Sequence, residues 1–260
     1  MELGLRDKVV LVTGGSKGIG LACARAFLDE GTRVALASRH TANLEAAAAS
    51  LAAGERVATI EADLTDPEAA PEMVRRVEQA LGPVDVLINS AGAAKRYLPE
   101  ELTAGSWHAA MEAKYFTYIH ALQAVLPGMA ARGRGAVVNI IGMGGKVATP
   151  IHLPGGAANS ALMLVTTGLA QVYAPQGVRI VGISPGATMT DRVKEQLRLE
   201  ARARGISEAD VLAQGQAKLP LRRYADPSDI AHLAVFLASD KAAYITGAVI
   251  PMDGGATPLI

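Results

Sequence analysis

The chain has 260 residues, half of them hydrophobic but only 4% aromatic, which suits one large α/β domain (residues 1–260) with a core of Ala, Val, Leu and Ile. Its 25 basic residues balance 25 acidic ones, so composition gives no case for a nucleic-acid or anionic-membrane partner. The single Cys23 excludes an intrachain disulfide and a cysteine metal cluster, and without a signal-peptide pattern or a membrane-length apolar run the expectation is a cytoplasmic protein.

Residues 9–12 read as a short buried strand, closed by Thr13 and Gly14. The turn that follows, with Gly14, Ser16, Lys17, Gly18, Ile19 and Gly20, opens directly into a helical run over 21–28. A strand, a glycine turn and a helix N-terminus together make a cradle for a dinucleotide pyrophosphate. Cys23 falls on the apolar face of that helix as a packed thiol. Residues 34–37 form a second strand ending at Ser38-Arg39-His40. A carboxylate there would hold the adenosine ribose hydroxyls, and none is present. Arg39, with Lys17, instead offers cations to a 2′-phosphate, which points to NADP(H).

A helix over 44–51 and a strand over 57–62 deliver Asp63-Leu64, where the carboxylate can accept from the adenine amino group or simply cap a loop. Thr65-Asp66-Pro67-Glu68 reads as a capping box with proline in the first turn. A fourth strand over 84–88 runs into Asn89-Ser90-Ala91-Gly92, small residues that let adenosine lie over the strand ends. Asn89 is expected to lock adjacent strands through side-chain to backbone bonds. A long helix is expected over 106–129, a fifth strand over 136–141, a glycine-rich loop over 142–156 and a helix over 158–173. A sixth strand over 179–183 leads to Pro185, Gly186 and Thr188, and residues 188–220 have the length and polarity of a flap over the ligand. Asp226 caps a last helix before a strand at 248–250. Strands alternating with helices imply a doubly wound, Rossmann-type, mostly parallel seven-stranded sheet with helices on both faces.

Five ordered motifs resemble the short-chain dehydrogenase/reductase family: TGGSKGIG at 13–20, Asp63, NSAG at 89–92, SPGAT at 184–188 and YITGAVIPMDGG at 244–255. That family normally works with an Asn in the long helix, a Ser after the fifth strand, and a Tyr followed four residues later by a Lys. The resemblance places these at Lys114, Gly142, Gly155 and Asn159, so all four are replaced. No tyrosine lies between Tyr118 and Tyr173 to rescue the pattern. The Ser-Tyr-Lys route of proton transfer is then absent, and Asn159 retains only a neutral side chain for a ribose hydroxyl. Lys114, His152 and Tyr97 are the candidate replacements, with Lys146 nearby in the loop; no His, Cys or carboxylate spacing makes a metal site.

Three functions follow as expectations. One is an NADP(H)-dependent oxidoreductase acting on a carbonyl, imine or activated alkene. The second is an inactive dinucleotide-binding sensor or partner subunit, and the third an isomerase or lyase using Lys114 or His152 as base. The resemblance also implies a homodimer or homotetramer, with Met111, Tyr115, Tyr118 and Leu122 as candidates for its surface, though core packing accounts for them equally well.

Overall fold

The computed structural model describes residues 2–92 and 94–258. Strands β1 (Val9–Thr13), β2 (Arg33–Ser38), β3 (Val57–Glu61), β4 (Val86–Asn89), β5 (Gly135–Ile140), β6 (Val178–Pro185) and β7 (Val249–Met252) form one sheet in the order β3-β2-β1-β4-β5-β6-β7. Every pairing is parallel. The order reverses between β1 and β4, the switch point at which such sheets hold ligands beyond their carboxyl ends.

Alternation along each strand sends successive apolar residues to opposite faces, and both faces are covered. Val10 and Val12 pack with Val34, Leu36, Ile88 and Val138 against α1 (Gly18–Asp29), α2 (Thr41–Leu51) and α9 (Pro227–Ala238), where Phe27, Leu44 and Ile230 are fully interior. Val9 and Leu11 pack with Ala35, Leu87 and Val137 against α3 (Ala69–Leu81), α5 (Thr117–Ala131) and α6 (Leu153–Tyr173). Cys23 is buried in the first layer, and burial pushes its thiol up to about 12, which keeps it an inert packed group.

Several local expectations are corrected. No capping box forms at Thr65, because its N–H and hydroxyl both donate to Asp63 Oδ1, at 3.1 and 2.8 Å, and α3 starts only at Ala69. The long helix is interrupted: α4 (Ala104–Ala110) passes through a π-helical segment, Met111–Phe116, before α5. The 142–156 stretch is not one loop, since α6 begins at Leu153 with Pro154 in its first turn, where a missing N–H costs nothing. Of the two placements open to Tyr118 and Leu122, the structure shows the core. The 188–220 region holds α7 (Asp191–Arg204) and α8 (Glu208–Ala217). Among the described residues no helix is long and apolar enough to cross a membrane.

Candidate active site

The glycine turn is built from close backbone approaches. Gly14 has φ +65°, and a Cβ on it would lie 2.6 Å from Ser90 O. A Cβ on Gly20 would lie 2.3 Å from Gly14 O, so α1 can start this close to β1 only without side chains there. Helix α1 has no side-chain cap and no acid in its first turn, which leaves its leading N–H groups and positive dipole end for an anion. Lys17, Arg39 and His40 are exposed around it. Partial burial works against Asp63, but hydrogen bonds from Thr65 and the charges of Arg39 and His40 hold its carboxyl below the usual range. Asp63 therefore caps its own loop while sharing a corner with Arg39; Leu64 is buried beneath, its carbonyl 2.9 Å from His120 Nδ1.

Asn89 does lock strands, though through side chains and not backbone groups. Thr13 Oγ1 donates to Asn89 Oδ1 (3.2 Å), Asn89 Nδ2 to Asn139 Oδ1 (3.1 Å), and Asn139 Nδ2 to Thr166 Oγ1 (2.9 Å). This buried chain ties β1, β4, β5 and α6 at the switch point, and Thr13 Oγ1 also accepts from the N–H groups of Ser90 and Ala91. Gly92 (φ +84°) leaves the strand end directly over the π-helical segment, where a Cβ would lie 1.8 Å from Ala113 O. On the far side, Gly186 N donates to Met252 O, Thr188 bridges to Ala225, and Thr190 sits against Gly18.

The other half of the groove is organised on the backbone that follows β5. Lys114 is buried and its Nζ donates to Tyr118 Oη (2.8 Å) and to Ile140 O (3.0 Å), with the ammonium 4.4 Å from the Tyr118 ring centre. Two residues on, a Cβ at Gly142 would lie 3.2 Å from Asn159 Nδ2. Gly144 has His152 Cδ2 and Asn159 Nδ2 within 3.5 Å of the same notional position. The 140–144 backbone thus carries Lys114, Asn159 and His152 in a row.

His152 is the N-cap residue of α6, half-buried, and not a free loop histidine. Its ring lies over Gly155, where a Cβ would fall 2.2 Å from Cε1 and 2.6 Å from Nε2. The imidazole occupies the space that a side chain at 155 would need. Among the described residues, His152 Nδ1 and Asn159 Oδ1 are buried without a hydrogen-bond partner; the amide oxygen is an acceptor, and the ring nitrogen donates or accepts with its tautomer. His152 also lines a cavity of about 340 Å³ with Trp107, Lys146, Thr149 and Ser160.

Burial, then the charge of Arg192, lowers the Lys114 amine from 10.5 to about 7. Burial, then Arg96, Arg192 and Lys114, lowers His152 below its ordinary 6.5. Burial raises Tyr118, so its hydroxyl stays protonated and donates to Ile140 O. Of the three replacements suggested by sequence, Lys114 and His152 are brought together; Tyr97 is only partly buried and enters through its backbone N–H, which donates to Ile151 O (3.1 Å). Sequence reasoning missed Tyr118 as a partner of Lys114, although their i, i+4 spacing on a helix was a readable signal.

Residues 14–257 match a family described as enoyl-(acyl carrier protein) reductase. The chain is 34% identical over 256 residues to 2-(S)-hydroxypropyl-CoM dehydrogenase 3 of Xanthobacter autotrophicus, covering 98% of each. It is 35% identical over 237 residues to that organism's inactive 2-(S)-hydroxypropyl-CoM dehydrogenase 2, covering 91% of this chain and all of the other. An NADPH-bound short-chain oxidoreductase of Pseudomonas aeruginosa PAO1, with an atypical catalytic center, superposes with a TM-score of 0.89 at 30% identity, over 98% of this chain and 100% of that one. With matching motifs, sheet order and relatives along nearly its whole length, the chain belongs to the short-chain dehydrogenase/reductase family, in the group described as enoyl-(acyl carrier protein) reductase.

Proposed function

We propose that the protein is an NADP(H)-dependent oxidoreductase in which Lys114 handles the substrate proton in place of the family's tyrosine. The observation that carries this reading is the anchoring of Lys114 Nζ on Tyr118 Oη and Ile140 O. Those two contacts use two N–H groups. What remains is a lone pair on the neutral amine or a third N–H on the ammonium. With the amine near 7, both forms are present at neutral pH, which is the condition for general acid–base work.

The residues fit NADP(H). The uncapped α1 N-terminus suits the pyrophosphate, Arg39 and Lys17 the 2′-phosphate, Asp63 and Leu64 the adenine, and Asn89, Ala91 and Gly92 the ribose floor. Asn159 Oδ1 would accept from a nicotinamide-ribose hydroxyl, and Pro185, Gly186 and Thr188 would border the ring. The bound cofactor would supply or accept the hydride. In the reducing direction the Lys114 ammonium gives a proton to the substrate oxygen and is left as the neutral amine; in the oxidising direction the amine takes it back. His152, kept neutral by burial and neighbouring cations, positions the substrate and fills the space over Gly155. The NADPH-bound relative with an atypical centre supports a working site of this kind.

The inactive relative from Xanthobacter supports a second reading, a dinucleotide-binding partner without turnover. Calorimetric titration with NADPH and NADH, followed by NADPH oxidation over a carbonyl panel, separates the two. Micromolar NADPH binding with turnover is expected; binding without any turnover establishes the second reading, and no binding removes both. Assembly into a homo-oligomer is also proposed, since Trp107 (39% exposed) and Phe116 (41%), with Leu164 (76%) and Val172 (58%) on α6, leave apolar side chains uncovered. A clean monomer peak at micromolar concentration in size exclusion would refute it.

A further inference from the structure

Resting on the oxidoreductase reading, we propose that the substrate carries a carboxylate and that Arg96 and Arg192 hold it beside Lys114 and His152. Three segments converge to make this arrangement. The Arg96 segment is pinned to the turn that carries His152 by the 3.1 Å bond from Tyr97 N to Ile151 O. Ala94 Cβ lies 2.9 Å from the Cβ position of Gly155, the position that the His152 ring also covers. Arg192 begins α7, two residues after Thr190, whose methyl is 3.4 Å from the Cβ position of Gly18. The charges of Arg96, Arg192 and Lys114 all bear on His152, and that of Arg192 bears on Lys114.

Among the described residues, Arg96 and Arg192 make neither an ion pair nor a side-chain hydrogen bond. Further along α7, Lys194, Arg198 and Arg204 pair with Asp191, Glu195 and Glu200. The nearest acids in sequence are directed elsewhere: Asp191 faces Lys194 at 3.5 Å, and Glu101 accepts from Leu98 N at 2.8 Å, with Glu100 exposed beside it. In a chain with equal numbers of basic and acidic residues, this concentration of one sign is local, not background. A guanidinium fork matches a carboxylate in shape and charge. An anion held here would also favour the protonated form of Lys114, and so would prepare the proton for a carbonyl oxygen as the substrate binds.

The test uses matched probes: 2-oxobutyrate, acetoacetate and levulinate against their ethyl esters, titrated by calorimetry into NADPH-loaded protein and into protein alone. For at least one chain length the acid should bind about 10-fold more tightly than its ester. That ratio should fall towards one in the Arg96→Gln/Arg192→Gln double variant and persist in Arg202→Gln, which changes another cation of α7. Equal binding of acids and esters by the wild type would overturn the proposal. So would an unchanged ratio in the double variant, or weaker NADPH binding in it with the ratio intact, which would assign Arg192 to the cofactor. Failure of NADPH to bind would instead defeat the oxidoreductase reading, and the ratio on protein alone would still decide this inference.

Discussion

The two ends of the groove are built on different principles. Around Gly14 and Gly20 the working groups are backbone: close approaches that exclude side chains, and the uncapped N–H groups of α1. Around Lys114 they are side chains from separate stretches of chain, set in a row on the 140–144 backbone. The first kind of site tolerates no change at its glycines. The second is set by which side chains meet there, so its residues can change while the sheet beneath them stays the same.

The largest expected effect lies at the side-chain end. Lys114→Met should lower kcat by about 10²–10⁴-fold while changing the NADPH Kd by less than about 3-fold. Steady-state kinetics with parallel calorimetry check this, and equal losses in both would move Lys114 to the cofactor end. At the backbone end, Gly92→Ala should cost more than about 2 kcal/mol, because its φ is positive and its Cβ would strike Ala113 O. Thermal unfolding should show a fall of at least about 4–8 °C for a chain of this size; a wild-type Tm would mean that the π-helical segment yields.

Arg39→Gln should reduce the preference for NADPH over NADH about 10-fold, or about 1.4 kcal/mol, with little change in stability. A preference left intact would assign the 2′-phosphate to Lys17 alone. The pH dependence of stability tests the burial of the same amine, Lys114. Lys114 titrates near 10.5 when unfolded and near 7 when folded, so between these values the unfolded chain binds more protons. Its contribution to stability therefore rises with pH across that window and is lost as pH falls towards 7. The Tm of the wild type should gain on that of Lys114→Met from pH 7 upward, and parallel curves would show an amine in contact with water.

Sequence spacing was enough for the glycine turn, because its function depends on which neighbouring residues lack a Cβ. It leaves Tyr118 open between an oligomer surface and the core, because helical periodicity identifies an apolar face but not what covers that face; the structure places it in the core. It ended the glycine-rich loop too late, because Pro150, Pro154, Gly155 and Gly156 have loop propensity, yet a proline in the first helical turn and buried helical glycines are compatible with α6. It also read Thr65 as a helix cap when its hydrogen bonds go back to Asp63.

The seven-stranded parallel sheet, its two covered faces and the uncapped start of α1 follow from local patterns: alternating apolar residues, helical periods and a fixed glycine spacing. The reaction end does not, because its properties are made by distance in space. The Lys114 amine is lowered only when Ile140, 26 residues away in sequence, offers its carbonyl and the surrounding packing removes water. Gly155 becomes a space for His152 only when α6 begins before it and brings the ring across. Desolvation and steric exclusion depend on the packed surroundings of a group, and those exist only once the chain has folded.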